Sequence, residues 1–418
     1  MNVAYLCADR GIPVLGFKGA SVHVREMVCA FARTGHEVTL FCTQRGAGNP
    51  APPGSCLELP TQDDSARIAA LAEELGVSAA AADKTLRREL ERLAQDRALP
   101  AWVLASLNAM GRVPDLLYER YSLFHRAGVE IAAALGIPHI LEVNAPLVEE
   151  QAQFRGLAQR ELAERTEREV FARADHVVAV SAAMKGYVMR QGVPEARVTV
   201  LPNGVDGGRF HPGVDGRELR ARHGLGEHPV IGFVGSLKPW HGIDLLLDAF
   251  RSVRERHPEA RLLVVGDGPA MDELRLRAAS APFAGSVELA GHVAHGEVPA
   301  YLAAMDVTVA PYQPREEFYF SPMKVIESMA AGRPVVAPRI GQIEELVRDG
   351  VEGRLYRPGD TAACAAAVCE LLDDAGSRRE MGRRAAHRAH CDFAWEANAE
   401  RVAALGASLR NRRRQALA

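Results

Sequence analysis

The sequence predicts an α/β protein made of two doubly wound domains in tandem, and three observations carry that prediction. Short apolar strands alternate with helical stretches along most of the chain, a rhythm that implies parallel sheets covered on both faces. The rhythm stops at Pro202-Asn203-Gly204-Val205-Asp206, a cluster of turn formers, and then restarts. Finally, 418 residues exceed what one ordinary core holds but suit two domains of about 200 residues each. The expected division is a first domain over residues 1-204, with a helical insertion over about 63-110, and a second domain over 205-388.

Taken in order, Val3–Cys7 reads as a strand and residues 9–21 as a loop rich in Gly and Pro. Val22–Arg33 reads as a helix, with Val24, Val28, Phe31 and Ala32 at helical spacing. Gly35-His36 stops it, and Val38–Cys42 is the next strand. Pro50–Pro60 reads as a loop. Residues 63–110 are rich in Ala, Leu, Glu and Arg and lack a β-branched run, which predicts two or three helices broken near Gly76 and Pro100. Their apolar faces read as core, with an acceptor, membrane or partner contact as the alternative. Strands return at Asp115–Glu119, Ile137–Val143 and His176–Val180, with one long charged helix over about 149–173. In the second half, Val230–Val234, Arg261–Val265, Val287–Leu289, Val307–Ala310 and Pro334–Ala337 read as five strands, and the chain is helical from about residue 361.

Composition removes several function classes. Lys+Arg number 50 against 53 Asp+Glu, a formal net charge of −3, so bulk charge does not draw this chain to nucleic acid. No apolar block approaches the roughly 20 residues needed to span a bilayer. The N-terminus enters a strand at once, without the basic region of a secretory signal. Seven scattered cysteines form no Cys-x-x-Cys pair, the usage expected of reduced thiols in a cytoplasmic protein. His387, His390 and Cys391 share helical spacing but lack a fourth ligand, so they read as a solvated helix face and no metal is expected. Arg412-Arg413-Arg414 reads as a charged tail, with contact at the inner face of a membrane as the lesser alternative.

In open α/β sheets ligands bind beyond the carboxyl ends of strands, and four loops there carry residues that call for explanation. Gly16-Phe17-Lys18-Gly19-Ala20-Ser21 offers glycines at a strand-to-helix turn, with Gly19 suited to close approach by a ligand. Gly235-Ser236-Leu237-Lys238-Pro239-Trp240-His241-Gly242 sets Lys238 as a point charge and His241 as a donor beside glycines, which suits a diphosphate. Gly266-Asp267-Gly268-Pro269 is a turn that its glycines explain on their own. The fourth loop carries most weight. Ser321-Pro322 reads as an N-cap with Pro at the first helical position, opening a helix whose N–H groups suit phosphate. Glu327 follows on an otherwise small and apolar helix, where a carboxylate needs a partner. A ribose diol would serve; so would a salt bridge to Lys324 at i,i+3.

The run from Pro322 to Ala337, with Glu327-Ser328-Met329-Ala330-Ala331-Gly332-Arg333-Pro334-Val335-Val336-Ala337, resembles the donor-site segment of retaining glycosyltransferases of family 4. Gly35-His36-Glu37-Val38, Pro202-Asn203-Gly204-Val205-Asp206, the Gly235 loop, Gly266-Asp267-Gly268-Pro269 and Gly341–Glu345 agree in order and spacing. The resemblance covers nearly the whole chain. It implies the GT-B fold: two Rossmann-like domains facing across a cleft, the acceptor on the first, the nucleotide sugar on the second. It also implies a final helix, over residues 389-418, crossing back to the first domain near Phe393-Ala394-Trp395.

By the same resemblance, Glu327 matches the second glutamate of an E-x7-E pattern and would hold the nucleotide ribose. Phe320, Ser321 and Met323 would present backbone near the phosphates and sugar, with Lys324 beside them. Gly19, Gly235, Ser236, Lys238, His241, Gly266, Gly268, His292 and Val293 complete the donor-binding set. The chain departs from the pattern in three places. Tyr319 stands at the first glutamate, with Glu317 close by; Ser236 and His241 stand where many members carry Arg and Lys; Asn144 aligns with a histidine near the reacting sugar. Asn144, Lys238, Glu317 and Tyr319 are therefore the candidate catalytic residues. The expected activity is metal-independent, retaining transfer from a UDP-, GDP-, ADP- or TDP-sugar to an acceptor hydroxyl or amine, without a further cofactor and with domain closure excluding water. The competing readings are a sugar-nucleotide epimerase, a phosphorylase, or a non-catalytic partner subunit that binds sugar nucleotides.

Overall fold

The structure, a computed structural model, describes residues 1–60, 63–314 and 318–417. The chain divides into two compact units, Met1–Pro202 with Trp395–Ala418, and Asn203–Ala394.

The first unit runs β1 (Asn2–Cys7), α1 (Gly19–Arg33), β2 (Glu37–Cys42), β3 (Ser55–Glu58), α2 (Ser65–Glu74) and α3 (Lys84–Ala109). It continues with β4 (Leu116–Arg120), α4 (Ala127–Leu135), β5 (His139–Val143), α5 (Leu147–Phe154), α6 (Arg160–Arg173), β6 (His176–Ala179), α7 (Ala182–Arg190) and β7 (Val198–Val200). Among the described residues the strands form one parallel sheet of order β3-β2-β1-β4-β5-β6-β7. The order reverses between β1 and β4, so the loops after those two strands diverge and leave a crevice at their carboxyl ends.

Three expectations for this unit are corrected. Pro50–Pro60 is not all loop: Ser55–Glu58 pairs with Thr39–Cys42 as an edge strand, a short segment flanked by turn formers that gives little periodic signal. Pro100 does not break its helix; α3 runs through it. Leu99, Val103 and Leu107 on either side are buried against Ala4, Leu6 and Phe41, and that burial outweighs the lost backbone bond. The charged stretch over 149–173 is two helices, not one. Gly156 breaks it at φ +78, and the N–H groups of Ala158 and Gln159 donate to the buried carboxylate of Glu89 on α3, both at 2.8 Å.

The second unit runs α8 (Arg217–Arg222), β8 (Val230–Val234), α9 (Ile243–Arg256), β9 (Arg261–Val265), α10 (Met271–Ala279), β10 (Val287–Gly291) and α11 (Val298–Ala304). Then come β11 (Val307–Val309), α12 (Met323–Ala330), β12 (Val335–Pro338), α13 (Ile343–Leu346), β13 (Gly353–Tyr356), α14 (Thr361–Asp373) and α15 (Ala375–Asp392). Its parallel sheet has the order β10-β9-β8-β11-β12-β13 among the described residues. β13 adds a strand to the five expected; its sequence, Gly-Arg-Leu-Tyr, has no β-branched residue and it lies on the edge beside β12. Alternation decides which face each strand residue serves. Val230, Leu263 and Val335 pack with Leu302, Ile326 and Met329 on one side. Ile231, Leu262 and Val336 pack with Leu246, Phe250 and Val368 on the other. The switch in strand order falls between β8 and β11, which places the Gly235 loop beside the segment that leads into α12.

The last helix, α16 (Trp395–Leu417), belongs with the first unit, and α15 ends before it at Asp392. Trp395 meets His23 of α1 edge-on, with ring centroids 4.9 Å apart. No helix among the described residues is long and apolar enough to cross a membrane.

Candidate active site

In the second unit the loops beyond β8, β9 and β10 are laced together by backbone bonds. Gly235 N–H donates to Val265 O, Leu237 N–H to Asp267 O, and Gly266 N–H to Gly291 O, at 2.8–2.9 Å. Gly266, at φ +140, lies so close that a side chain there would sit on the Gly235 carbonyl oxygen. The glycines of both loops thus first serve loop-on-loop packing. Gln313 N–H donates to Trp240 O at 3.1 Å, which ties the segment after β11 to the same platform.

The start of α12 differs from expectation. Ser321 is not its N-cap: Pro322 holds that position with extended backbone, and the helix begins at Met323. Ser321 Oγ instead accepts the N–H of Asn203 at 2.8 Å, while Asn203 Nδ2 donates to Ser321 O at 2.7 Å. The residue before a proline resists helical geometry, and the Asn203 bracket ties it outside the helix. Lys324 and Glu327 are not hydrogen-bonded to each other. Glu327 Oε1 accepts from Nε2 of His295 at 2.7 Å, whereas Nζ of Lys324 is buried with no hydrogen-bond partner among the described residues. That ammonium lies 4.4 Å from the Phe233 ring centre and 5.1 Å from that of Tyr312. A Cβ on Gly235 would come within 2.5 Å of it. Burial pushes the Lys324 ammonium down to about 7, opposed by the charge of Glu327 one turn on.

The remaining donor-set residues surround this centre. Lys238 is exposed, with Nζ 4.8 Å from the Trp240 ring centre. His241 Nδ1 is hydrogen-bonded to the Ser236 carbonyl, and its ring meets Tyr312 edge-on at 5.4 Å. His292 is exposed and Val293 half-buried in the loop after β10. Tyr319 is buried with its ring 4.4 Å from Phe320, and Phe320 packs edge-on to Phe318. Glu317 lies outside the described residues.

Gly19 and Asn144 belong to the first unit. Gly19 is the first residue of α1. Asn144 follows β5, and its Oδ1 is buried with no hydrogen-bond partner among the described residues. Beside it on β5, Glu142 accepts from Nε2 of His23 at 2.7 Å and lies 3.5 Å from Arg120. Burial opposes ionisation of Glu142, but attraction to His23 and Arg120 outweighs it and holds the carboxyl below its usual range. Sequence reasoning missed His23, Arg120 and His295. Charged residues inside otherwise apolar strands were the signal for Arg120 and Glu142; His295, 32 residues from Glu327, had none.

Two family models match the chain. "Glycosyltransferase Family 4" covers residues 17–209 and "Glycosyl transferases group 1" covers residues 228–374. The chain belongs to glycosyltransferase family 4. A GDP-mannose-dependent alpha-(1-6)-phosphatidylinositol monomannoside mannosyltransferase of Mycolicibacterium smegmatis is 34% identical over 236 residues, 56% of this chain and 62% of that enzyme. The match thus spans about three fifths of that relative's length. A glycogen synthase of Mycobacterium tuberculosis is 26% identical over 401 residues, 92% of this chain and 89% of the synthase. Among solved structures, Anabaena HepE in complex with UDP superposes with a TM-score of 0.69 at 20% identity, covering 98% of this chain and all of HepE. The family 4 chain therefore has the GT-B fold, with one Rossmann-like domain in each unit.

Proposed function

We propose that this family 4 protein is a glycosyltransferase that moves a sugar from a nucleoside-diphosphate sugar to an acceptor hydroxyl or amine, its second unit holding the donor. Glu327 carries the reading. It is a buried carboxylate on the helix beyond the switch-point strand, and a histidine N–H fixes one of its oxygens. The other can accept from a ribose diol, a bidentate partner that compensates the cost of burying the charge. The start of α12 offers backbone N–H groups to the diphosphate. Neutralising that group stabilises the departing nucleotide.

The relatives support the donor class: one is GDP-mannose-dependent, and HepE has been solved with UDP and with UDP-glucose. We further propose that transfer retains anomeric configuration, needs neither metal nor a further cofactor, and occurs in the cytoplasm. The seven unbridged cysteines suit that compartment. The acceptor is assigned to the first unit, where Asn144, His23, Glu142 and Arg120 stand near the end of β5.

Calorimetry of UDP, GDP, ADP and TDP with and without EDTA tests the donor reading. Saturable binding of one nucleotide, unaffected by EDTA and weakened at least about tenfold in Glu327→Ala, is expected. Failure of all four to bind would overturn it.

A further inference from the structure

Two lysines stand near the Gly235 loop, and the structure treats them differently. Lys238 is exposed and laid over Trp240, where solvent screens its charge. Lys324 is only partly covered as a residue, yet its Nζ is shut off from solvent and has no hydrogen-bond partner among the described residues. An ammonium has three donors, and leaving all of them unmet inside a protein is costly. The faces of Phe233 and Tyr312 offset part of that cost. Its position makes the arrangement informative: Lys324 lies in the first turn of α12, and its head is directly beneath Gly235, where any other residue would place its Cβ.

We propose that Lys324 is the cation of the diphosphate subsite, held in reserve against Phe233 and Tyr312 until a phosphate draws its ammonium out. The proposal rests on the donor-site reading above. The four-carbon stem lets the head reach the mouth of the glycine loop without backbone movement. There it meets the same anion that the first N–H groups of α12 face, so a charge-assisted bond and the helix terminus act on one ligand. Among the described residues, the titratable groups about it are Glu327 on its own helix, Tyr312 after β11 and, one ring further, His241 before α9. Burial holds the ammonium near neutrality in the empty site. Contact with a diphosphate restores its proton, so donor binding takes up a proton from solution.

The test is isothermal titration of UDP, GDP, ADP and TDP, each beside its bare nucleoside, against wild type, Lys324→Met and Glu327→Ala. Methionine fills the same space without charge, so melting curves should show Lys324→Met folded. For the nucleotide that binds, Lys324→Met should lose roughly 10- to 100-fold in affinity, while nucleoside affinity changes less than about threefold. Repeating the titration near pH 8 in two buffers of different ionisation enthalpy should show uptake of roughly 0.9 proton per nucleotide by wild type, and none by Lys324→Met. Full affinity in Lys324→Met with binding still lost in Glu327→Ala would overturn the role of Lys324 and leave the donor site standing. Equal proton uptake in wild type and Lys324→Met would also overturn it. Failure of all four nucleotides to bind wild type would overturn this proposal together with the donor reading.

Discussion

His295 Nε2 donates to Glu327 Oε1 at 2.7 Å, linking the turn after β10 to the buried middle of α12. The bond requires the tautomer with its proton on Nε2, or the doubly protonated ring. His295 is itself backed by Phe210, with ring centroids 5.5 Å apart, so the carboxylate is aimed by a packed, oriented donor. His295→Ala should therefore weaken nucleotide binding roughly threefold to tenfold, less than Glu327→Ala. In the Glu327→Ala background it should have almost no further effect. Additive losses in the double variant would show that His295 acts on something other than Glu327.

Gly266 should prove intolerant of the smallest side chain. Its φ is +140, and a Cβ would strike the Gly235 carbonyl oxygen, a backbone atom that cannot turn aside. Gly35 is a control with φ +81 and nothing within 4 Å of its Cβ position. Gly35→Ala should cost about 1 kcal/mol of strain alone, and Gly266→Ala more than about 2 kcal/mol, measured by denaturant unfolding. Equal costs would mean that the two loops are not held as closely as the structure shows.

Lys324 makes a prediction about stability in the empty protein. Its pKa is lowered from 10.5 to about 7 on folding. Between those values the unfolded chain binds the extra proton, so this group's share of stability rises with pH across that window. Below about pH 7 both states are protonated and the folding penalty is complete. Lys324→Met removes the penalty, so the variant should melt above wild type, by most near pH 6 and by least near pH 10. A constant offset across the range would contradict the burial of the charge.

Much of the fold was legible because alternation and turn chemistry agree locally. The β-branched strand Val335–Val336 after Gly332 is one case, and the turn cluster at the unit boundary, Pro202/Asn203, is another. What failed was either weakly periodic or settled by tertiary contact. Ser55–Glu58 and Gly353–Tyr356 are short edge strands, each with a single neighbour in its sheet. Pro100 stays helical because buried leucines and valine hold both flanks. The site was legible in part for the same reason. Glu327 stood out as a carboxylate on an apolar helix, but its true partner comes from another loop. The local pairing with Lys324 that spacing offers is not made, because Phe233 and Tyr312 compete for the ammonium.

Glu167 supplies a pH-dependent signal in the first unit, independent of any ligand. Its carboxyl is buried and accepts hydrogen bonds from the hydroxyls of Tyr121 and Tyr187. Burial raises it from 4.5 to about 7, although both hydroxyls pull the other way. Between those values the folded state holds a proton that the unfolded state has lost, so this group's contribution to stability is present below pH 4.5 and declines as pH rises through about 7. Glu167→Gln keeps the shape and one acceptor oxygen while removing the ionisation. The variant should match wild type within about 1 kcal/mol near pH 5 and exceed it by up to roughly 3 kcal/mol near pH 8. The comparison is between two chains at each pH, so other titrating groups cancel. If the two stability curves run parallel from pH 5 to 8, Glu167 is ionised throughout and the tyrosine hydroxyls, not burial, set its charge.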